Sequence, residues 1–168
     1  MSSIEGGRVV SFVKYSDEHL ERVLRITRAA WSPVFPLMRE EVPSYVYEAF
    51  YPASWLQRQL HDVEATCNDI ETEIWLAMLD QTIAGFVGLR VHNEDSMGEI
   101  YIVAVDPAFQ RLGVGRALLD FSFAWMREQD LKIALVETGA DRGHEPARAT
   151  YESMGFERYP VARYFKEL

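Results

Sequence analysis

Val105-Asp106-Pro107-Ala108-Phe109-Gln110-Arg111-Leu112-Gly113-Val114-Gly115-Arg116-Ala117-Leu118 is the stretch that decides how this chain reads. An apolar run, Ile100 to Val105, precedes its Asp106-Pro107 turn, and the pattern Val114, Leu118, Phe121, Trp125 follows at the spacing of a helix face. A strand, a glycine loop and a helix start together make an anion site. The first helical N–H groups lack partners inside the helix, and its dipole adds partial positive charge there. Gly113 and Gly115 let a phosphate approach the backbone, and Arg111 and Arg116 add charge. The string is not a P-loop, which would need G-x-x-x-x-G-K-[ST]. Nor is it a dinucleotide fingerprint, because Leu118 stands where a third glycine would fall. A bare G-x-G is otherwise an ordinary turn.

Outward from this loop, the pattern predicts one mixed domain. Residues 1–7 read as a disordered tail, and residues 8–168 as a single domain. Arg8 to Lys14 alternates as a first strand. Ser16 or Asp17 can cap a helix carrying Leu20, Val23, Leu24, Thr27 and Trp31, which Pro33 and Pro36 are expected to end. Residues 34–51 carry aromatics and prolines with no assignable period, and a second helix is expected within Pro52 to Thr66. Glu73 to Leu79, Thr82 to Val91 and Gly98 to Val105 read as a meander of strands. Ile133 to Glu137 is a further strand, and Pro146 opens a helix that Gly155 ends. A hairpin from Phe156 toward Tyr164 and Phe165 is expected to close the chain. The order gives an α+β (mixed α/β) fold with a central, mostly antiparallel sheet flanked by helices. The meander ahead of the glycine loop argues against a doubly wound nucleotide-binding sheet.

Composition narrows the partners. The 168 residues carry a formal net charge of −9, which disfavours nucleic acid and suits a cationic substrate. No apolar run approaches the ~20 residues of a membrane span, and the N-terminus lacks signal-peptide regions, so a cytoplasmic protein without membrane contact is expected. Cys67 is the only cysteine, so no internal disulfide is expected, and no metal-ligand spacing surrounds it.

The long string around Gly113 resembles the acetyl-CoA motif of the GNAT superfamily of N-acetyltransferases, Q/R-x-x-G-x-G/A. A second string, His144-Glu145-Pro146-Ala147-Arg148-Ala149-Thr150-Tyr151-Glu152-Ser153-Met154-Gly155-Phe156, resembles the family's N-x-x-A-x-x-L-Y-x-x-x-G-F. His144 replaces the usual Asn, and Thr150 the usual Leu. The resemblance implies an acetyl-CoA-dependent acyltransferase fold, with acetyl-CoA as cosubstrate, no metal, and a primary amine of a small molecule or peptide as acceptor. It leaves a homodimer open.

On that resemblance, the pyrophosphate would rest on Arg111, Leu112, Gly113, Val114, Gly115, Arg116 and Ala117. The pantetheine arm would pair with the strand edge at Val103, Ala104 and Val105 as an added strand would. A backbone N–H there would serve the oxyanion. Ala147 leaves room for the arm, and His144 joins the set by position, with a helix cap as its alternative role.

The reaction needs proton handling at both ends. A lysine-like amine of pKa ~10.4 must lose a proton at neutral pH, at a cost of about 4.6 kcal/mol, while the thiolate must gain one. Glu99, at the start of its strand, matches the glutamate base of histone-acetylating relatives, and strict alternation would place it with Tyr101, Val103 and Val105. Glu94, Asp95, His92 and Glu137 are alternatives. Tyr151 matches the tyrosine that the family sets near the sulfur as the acid. Trp31 and Phe35, with Glu99, are the candidate acceptor contacts, against a role in core packing. The other class of reading is a noncatalytic acyl-CoA-binding or interaction domain of the same fold.

Overall fold

The computed structural model describes residues 2–5 and 8–168. Its strands form one six-stranded sheet in chain order: β1 (Ser2–Glu5), β2 (Arg8–Lys14), β3 (Glu73–Leu79), β4 (Thr82–His92), β5 (Met97–Val105) and β6 (Ile133–Val136). The pairings from β1 to β5 are antiparallel, and β5 with β6 is parallel. Six helices complete the order: α1 (Leu20–Trp31), α2 (Val34–Glu41), α3 (Ser44–Phe50), α4 (Trp55–Cys67), α5 (Val114–Glu128) and α6 (Glu145–Ser153). The expected mostly antiparallel α+β architecture is what forms.

Helices cover both faces of the sheet. Val114, Ala117, Leu118, Leu119, Phe121 and Met126 of α5 pack on Ala77, Leu79, Val87, Leu89 and Ile100. On the other face, Val23 and Ile26 of α1 and Val63 of α4 pack on Ile74, Leu76, Phe86 and Ala104. Period-2 burial on β3 and the helical spacing of α1 generate these faces directly. Removing any one of the fully buried leucines would cost about 2–5 kcal/mol.

Several expectations change. Residues 2–5 of the expected tail pair with β2 from Ser2–Ser11 to Glu5–Arg8, while residues 1, 6 and 7 lie outside the described residues. Pro36 does not end a helix. It sits in the first turn of α2, where a backbone N–H would have no intrahelical acceptor, so the proline is tolerated. The unassigned stretch therefore holds α2 and α3, with Pro33 and Pro43 at their N-caps. The closing hairpin does not form: residues 156–168 adopt no regular structure. Gly155 turns the chain outward at φ 89° after α6, and Pro160 has no N–H for a ladder. Phe165 packs edge-on against Phe50 instead, with ring centroids 5.8 Å apart.

Candidate functional site

The opening that defines the site begins where β5 and β6 part. Their pairing runs only from Met97–Ile133 to Ile100–Val136, whereas β5 stays paired with β4 up to Val105. Beyond Ile100 the far edge of β5 thus has no strand beside it. Asp106 N–H donates to Ala84 O of β4 at 2.8 Å, so by alternation the N–H and C=O of Val105 and Val103 face the opening, and those of Ala104 face β4.

At the end of β5 the turn is clamped. Asp106 Oδ1 accepts from Ala108 N at 2.9 Å, and Oδ2 accepts from Arg22 Nη2 of α1 at 2.7 Å. Arg22 also donates twice to Ile83 O. The loop then turns through two left-handed residues, Arg111 (φ 62°) and Gly113 (φ 82°), the second being the N-cap of α5. Ala117 N–H bonds to Gly113 O at 2.9 Å, so the amides of Val114 and Gly115 lie ahead of the helix's own bonding pattern. A Cβ at Gly115 would meet only Val105 Cγ2, at 3.7 Å, an ordinary contact. Protein packing therefore does not demand glycine there, and the space is available to a ligand. Val114 and Ala117 have buried side chains, so any contact they make with a phosphate is through the backbone.

A bulge in β5 sets the faces of its first half. Gly88 pairs with Ile102 and Leu89 with Ile100, which leaves Tyr101 as the extra residue. Ile100 joins the α5 face along with Val103 and Val105, while Ile102 and Ala104 join the α1 and α4 face. Strict alternation fails at that point, so Glu99 does not share a face with Val103 and Val105. It lies on the α1 and α4 side, opposite Arg90 on β4. Glu99 Oε2 is 2.8 Å from His92 Nε2, and the carboxylate is mostly buried while the imidazole is half-exposed. Arg90 stacks on Tyr101 at 3.3 Å and donates to Thr72 Oγ1 and Asp69 Oδ2, which pins the bulge. Next to this pair, a cleft of about 390 Å³ is lined by Glu71, Glu73, Arg90, His92, Trp125 and Gln129. Glu94, Asp95 and Glu137 are exposed and make no described contact with Glu99.

Tyr151 and Ala147 lie on α6, which follows β6. The Tyr151 ring meets Phe156 edge-on at 5.8 Å, and burial pushes its phenol up to about 12. No described hydrogen bond joins Tyr151 to Glu99. His144 is the N-cap of α6, and its Nδ1 is 2.7 Å from Asp141 Oδ2. Phe35 is buried, stacked on Trp55 at 4.5 Å and edge-on to Tyr51 at 5.2 Å, so its ring holds α2 against α3 and α4. Trp31 is partly buried against the α1 and α4 core. Among the described residues, no group of three or more His, Cys, Asp or Glu side chains is placed to hold a metal ion. No helix among the described residues is long and apolar enough to cross a membrane.

Sequence reasoning missed the Arg22 clamp, Asp141 and the bulge. Asp141 stands three residues before a histidine at a helix start, a spacing that could have flagged the pair. Nothing in the sequence marks Tyr101 as an extra residue.

The acetyltransferase (GNAT) family model matches residues 37–156. A mycothiol acetyltransferase from Thermomonospora curvata is 39% identical over 88 residues, 52% of this chain and 29% of that protein. The chain thus spans about a third of the length of the curated relatives it matches. The ribosomal-protein-S18-alanine N-acetyltransferase of Escherichia coli superposes with a TM-score of 0.66 at 18% identity, over 90% of this chain and 79% of that one. The PaiA N-acetyltransferase of Thermoplasma acidophilum, solved in complex with coenzyme A, gives 0.66 at 16% identity over 91% and 92%. At these identities the structural likeness is one of fold.

Proposed function

The chain belongs to the GNAT acetyltransferase family, and from that premise we propose that it transfers the acetyl group of acetyl-CoA to a primary amine by direct attack. The observation that carries the proposal is the parting of β5 from β6 directly ahead of a glycine loop with room at Gly115. The amides at the start of α5 would hold the pyrophosphate, helped by Arg111, Leu112, Gly113 and Arg116. The open edge at Val103 and Val105 would pair with the pantetheine amides and supply the N–H for the oxyanion.

Glu99 would accept the proton of the acceptor ammonium. Its carboxylate sits away from bulk water, and the half-exposed His92 at 2.8 Å gives that proton a route to solvent. Tyr151 would lie by the sulfur. Burial pushes the Tyr151 phenol up to about 12, well above an ordinary thiol near ~8.5, so handing its proton to a thiolate is uphill. Tyr151 therefore fits a hydrogen-bond donor to the sulfur better than the source of its proton.

The acceptor class is argued from this chain's own charges. The cleft bordered by His92 carries Glu71, Glu73 and Trp125 beside Arg90, with Glu73 paired to Lys14 at 3.1 Å, and the chain's net charge is −9. Carboxylates and an aromatic face suit a cation, each contributing on the order of 1 kcal/mol while solvated. A small or peptide-borne primary amine is the substrate class. The test is thiol release from acetyl-CoA across polyamines, aminoglycosides, lysine peptides and acidic amino acids. Acidic amino acids as the best acceptors would refute the acceptor class. A protein that binds CoA and releases no thiol with any amine would instead be a noncatalytic binding domain.

A further inference from the structure

Asp141 and His144 form a buried pair at the head of α6, in the loop that follows β6. Asp141 is 9% exposed, and its Oδ2 sits 2.7 Å from His144 Nδ1. Its Oδ1 is buried with no hydrogen-bond partner among the described residues. Two glycines make the space. A Cβ at Gly139 would run into Asp141 Oδ2 and fall 2.6 Å from His144 Nδ1, and one at Gly143 would fall 3.0 Å from Asp141 Oδ1. Arg148 Nη1 closes the loop by donating to Gly139 O and Asp141 O, both at 2.6 Å. Arg142 is held by Glu40 and Glu41 of α2, so it does not neutralise Asp141.

A carboxylate at Nδ1 keeps a proton on that nitrogen and leaves Nε2 to gain or give the other one. No described residue bonds His144 Nε2. Counted along α6, His144, Ala147 and Tyr151 fall on one face, the face assigned above to the acyl carrier. The family motif has Asn at position 144, which can hydrogen-bond but holds no titratable proton.

We propose that His144, held by Asp141, is the proton carrier for the departing thiolate, an inference that rests on the acetyltransferase reading. As the amine nitrogen bonds to the thioester carbon, the C–S bond breaks and its electron pair stays on sulfur. The imidazolium gives its Nε2 proton to that sulfur, forming the thiol, and the ring regains a proton from solvent. The ammonium loses two protons by way of Glu99 and His92, so the turnover releases one net proton. Asp141 is the positioning residue. Tyr151, with its phenol pushed up by burial, keeps its own proton throughout.

The experiment compares wild type with His144→Asn, whose amide keeps a donor for Asp141 at the N-cap position of α6, and with Asp141→Asn. Its first readout needs no acceptor: ultraviolet thiolate absorbance of protein-bound CoA across pH, with calorimetry establishing that CoA is bound. The bound thiol is expected to titrate about one pH unit lower in wild type than in His144→Asn. Turnover with the best amine of the panel is expected to fall about 10²-fold in both variants, with KM for acetyl-CoA unchanged. Nitrogen-15 NMR of the histidines should show Nδ1 protonated in wild type and Nε2 protonated in Asp141→Asn. An equal thiol titration in wild type and a folded, CoA-bound His144→Asn protein overturns the proposal, as does equal turnover. A wild type that binds no CoA removes the acetyltransferase reading and this proposal together. A wild type that shows the titration shift yet acetylates none of the panel supports the carrier while the acceptor class fails.

Discussion

Valine at position 115 separates what the fold needs from what the cofactor needs. The first carbon of the new side chain would meet only Val105 Cγ2, at 3.7 Å, so the helix can accept it without displacing a neighbour. Replacing glycine inside a helix also reduces the freedom of the unfolded chain, which is stabilising by a few tenths to about 1 kcal/mol. The proposed phosphate occupies the same space. A charge-assisted hydrogen bond to a backbone N–H contributes roughly 1.5–3 kcal/mol, and a branched side chain at the second residue of α5 denies the phosphate about two of them. A loss of ~3–6 kcal/mol weakens CoA binding by about 10²–10⁴-fold. Calorimetric titration with CoA measures this, and circular dichroism melting should show a midpoint equal to or above that of wild type. A folded Gly115→Val protein that binds CoA within a few-fold of wild type would refute the pyrophosphate assignment.

Glu99→Gln removes the proposed base while keeping its hydrogen bond to His92, so the rise of kcat/KM with pH on the neutral-to-alkaline limb should flatten in initial-rate profiles. A profile parallel to wild type would assign the proton to water or to another carboxylate. Tyr151→Phe removes one hydroxyl and no ring, and should lower turnover by about 10–100-fold with CoA affinity intact, the scale of one hydrogen bond to a charged atom. Unchanged turnover would leave Tyr151 as packing alone. Burial raises the Tyr151 phenol from 10.0 to about 12, so the folded state holds a proton that the unfolded state releases between those values. Its stabilising share, on the order of 2–3 kcal/mol, is present below pH ~10 and lost as pH rises toward ~12. Denaturant midpoints should therefore fall more steeply across that window in wild type than in Tyr151→Phe, and equal slopes would contradict the burial. Cys67, pushed up to about 11 by burial, should resist alkylation at neutral pH until the protein unfolds.

The sheet and the glycine loop were legible because they rest on local rules. Two apolar runs joined by a short turn give β3 and β4 away, and the glycines between a strand and an amphipathic helix announce the start of α5. The stretch from residue 34 to 51 was opaque for a physical reason. Pro36 is a helix breaker in an interior but harmless in a first turn, and the chain alone does not say which position it holds. Phe35 drew notice as a possible pocket wall, yet an aromatic in a loop-rich segment reads the same whether it faces a ligand or Trp55. Glu99 stands out as a candidate by its place at the strand's start. Its partner His92, seven residues away across a turn, depends on the pairing register, which the sequence does not print.

Tyr101 sets the parity of β5. Were Tyr101 instead paired in line with a residue of β4, strict alternation would return, so Met97 to Ile100 would each exchange faces. Glu99 would then enter the apolar layer under α5, and Ile100 would leave it. Replace Tyr101 with another side chain, and the cost is the Arg90 stacking contact on a ring already 44% exposed. Natural variation in such a strand can therefore trade the identity of this residue, as long as the extra position stays out of the ladder.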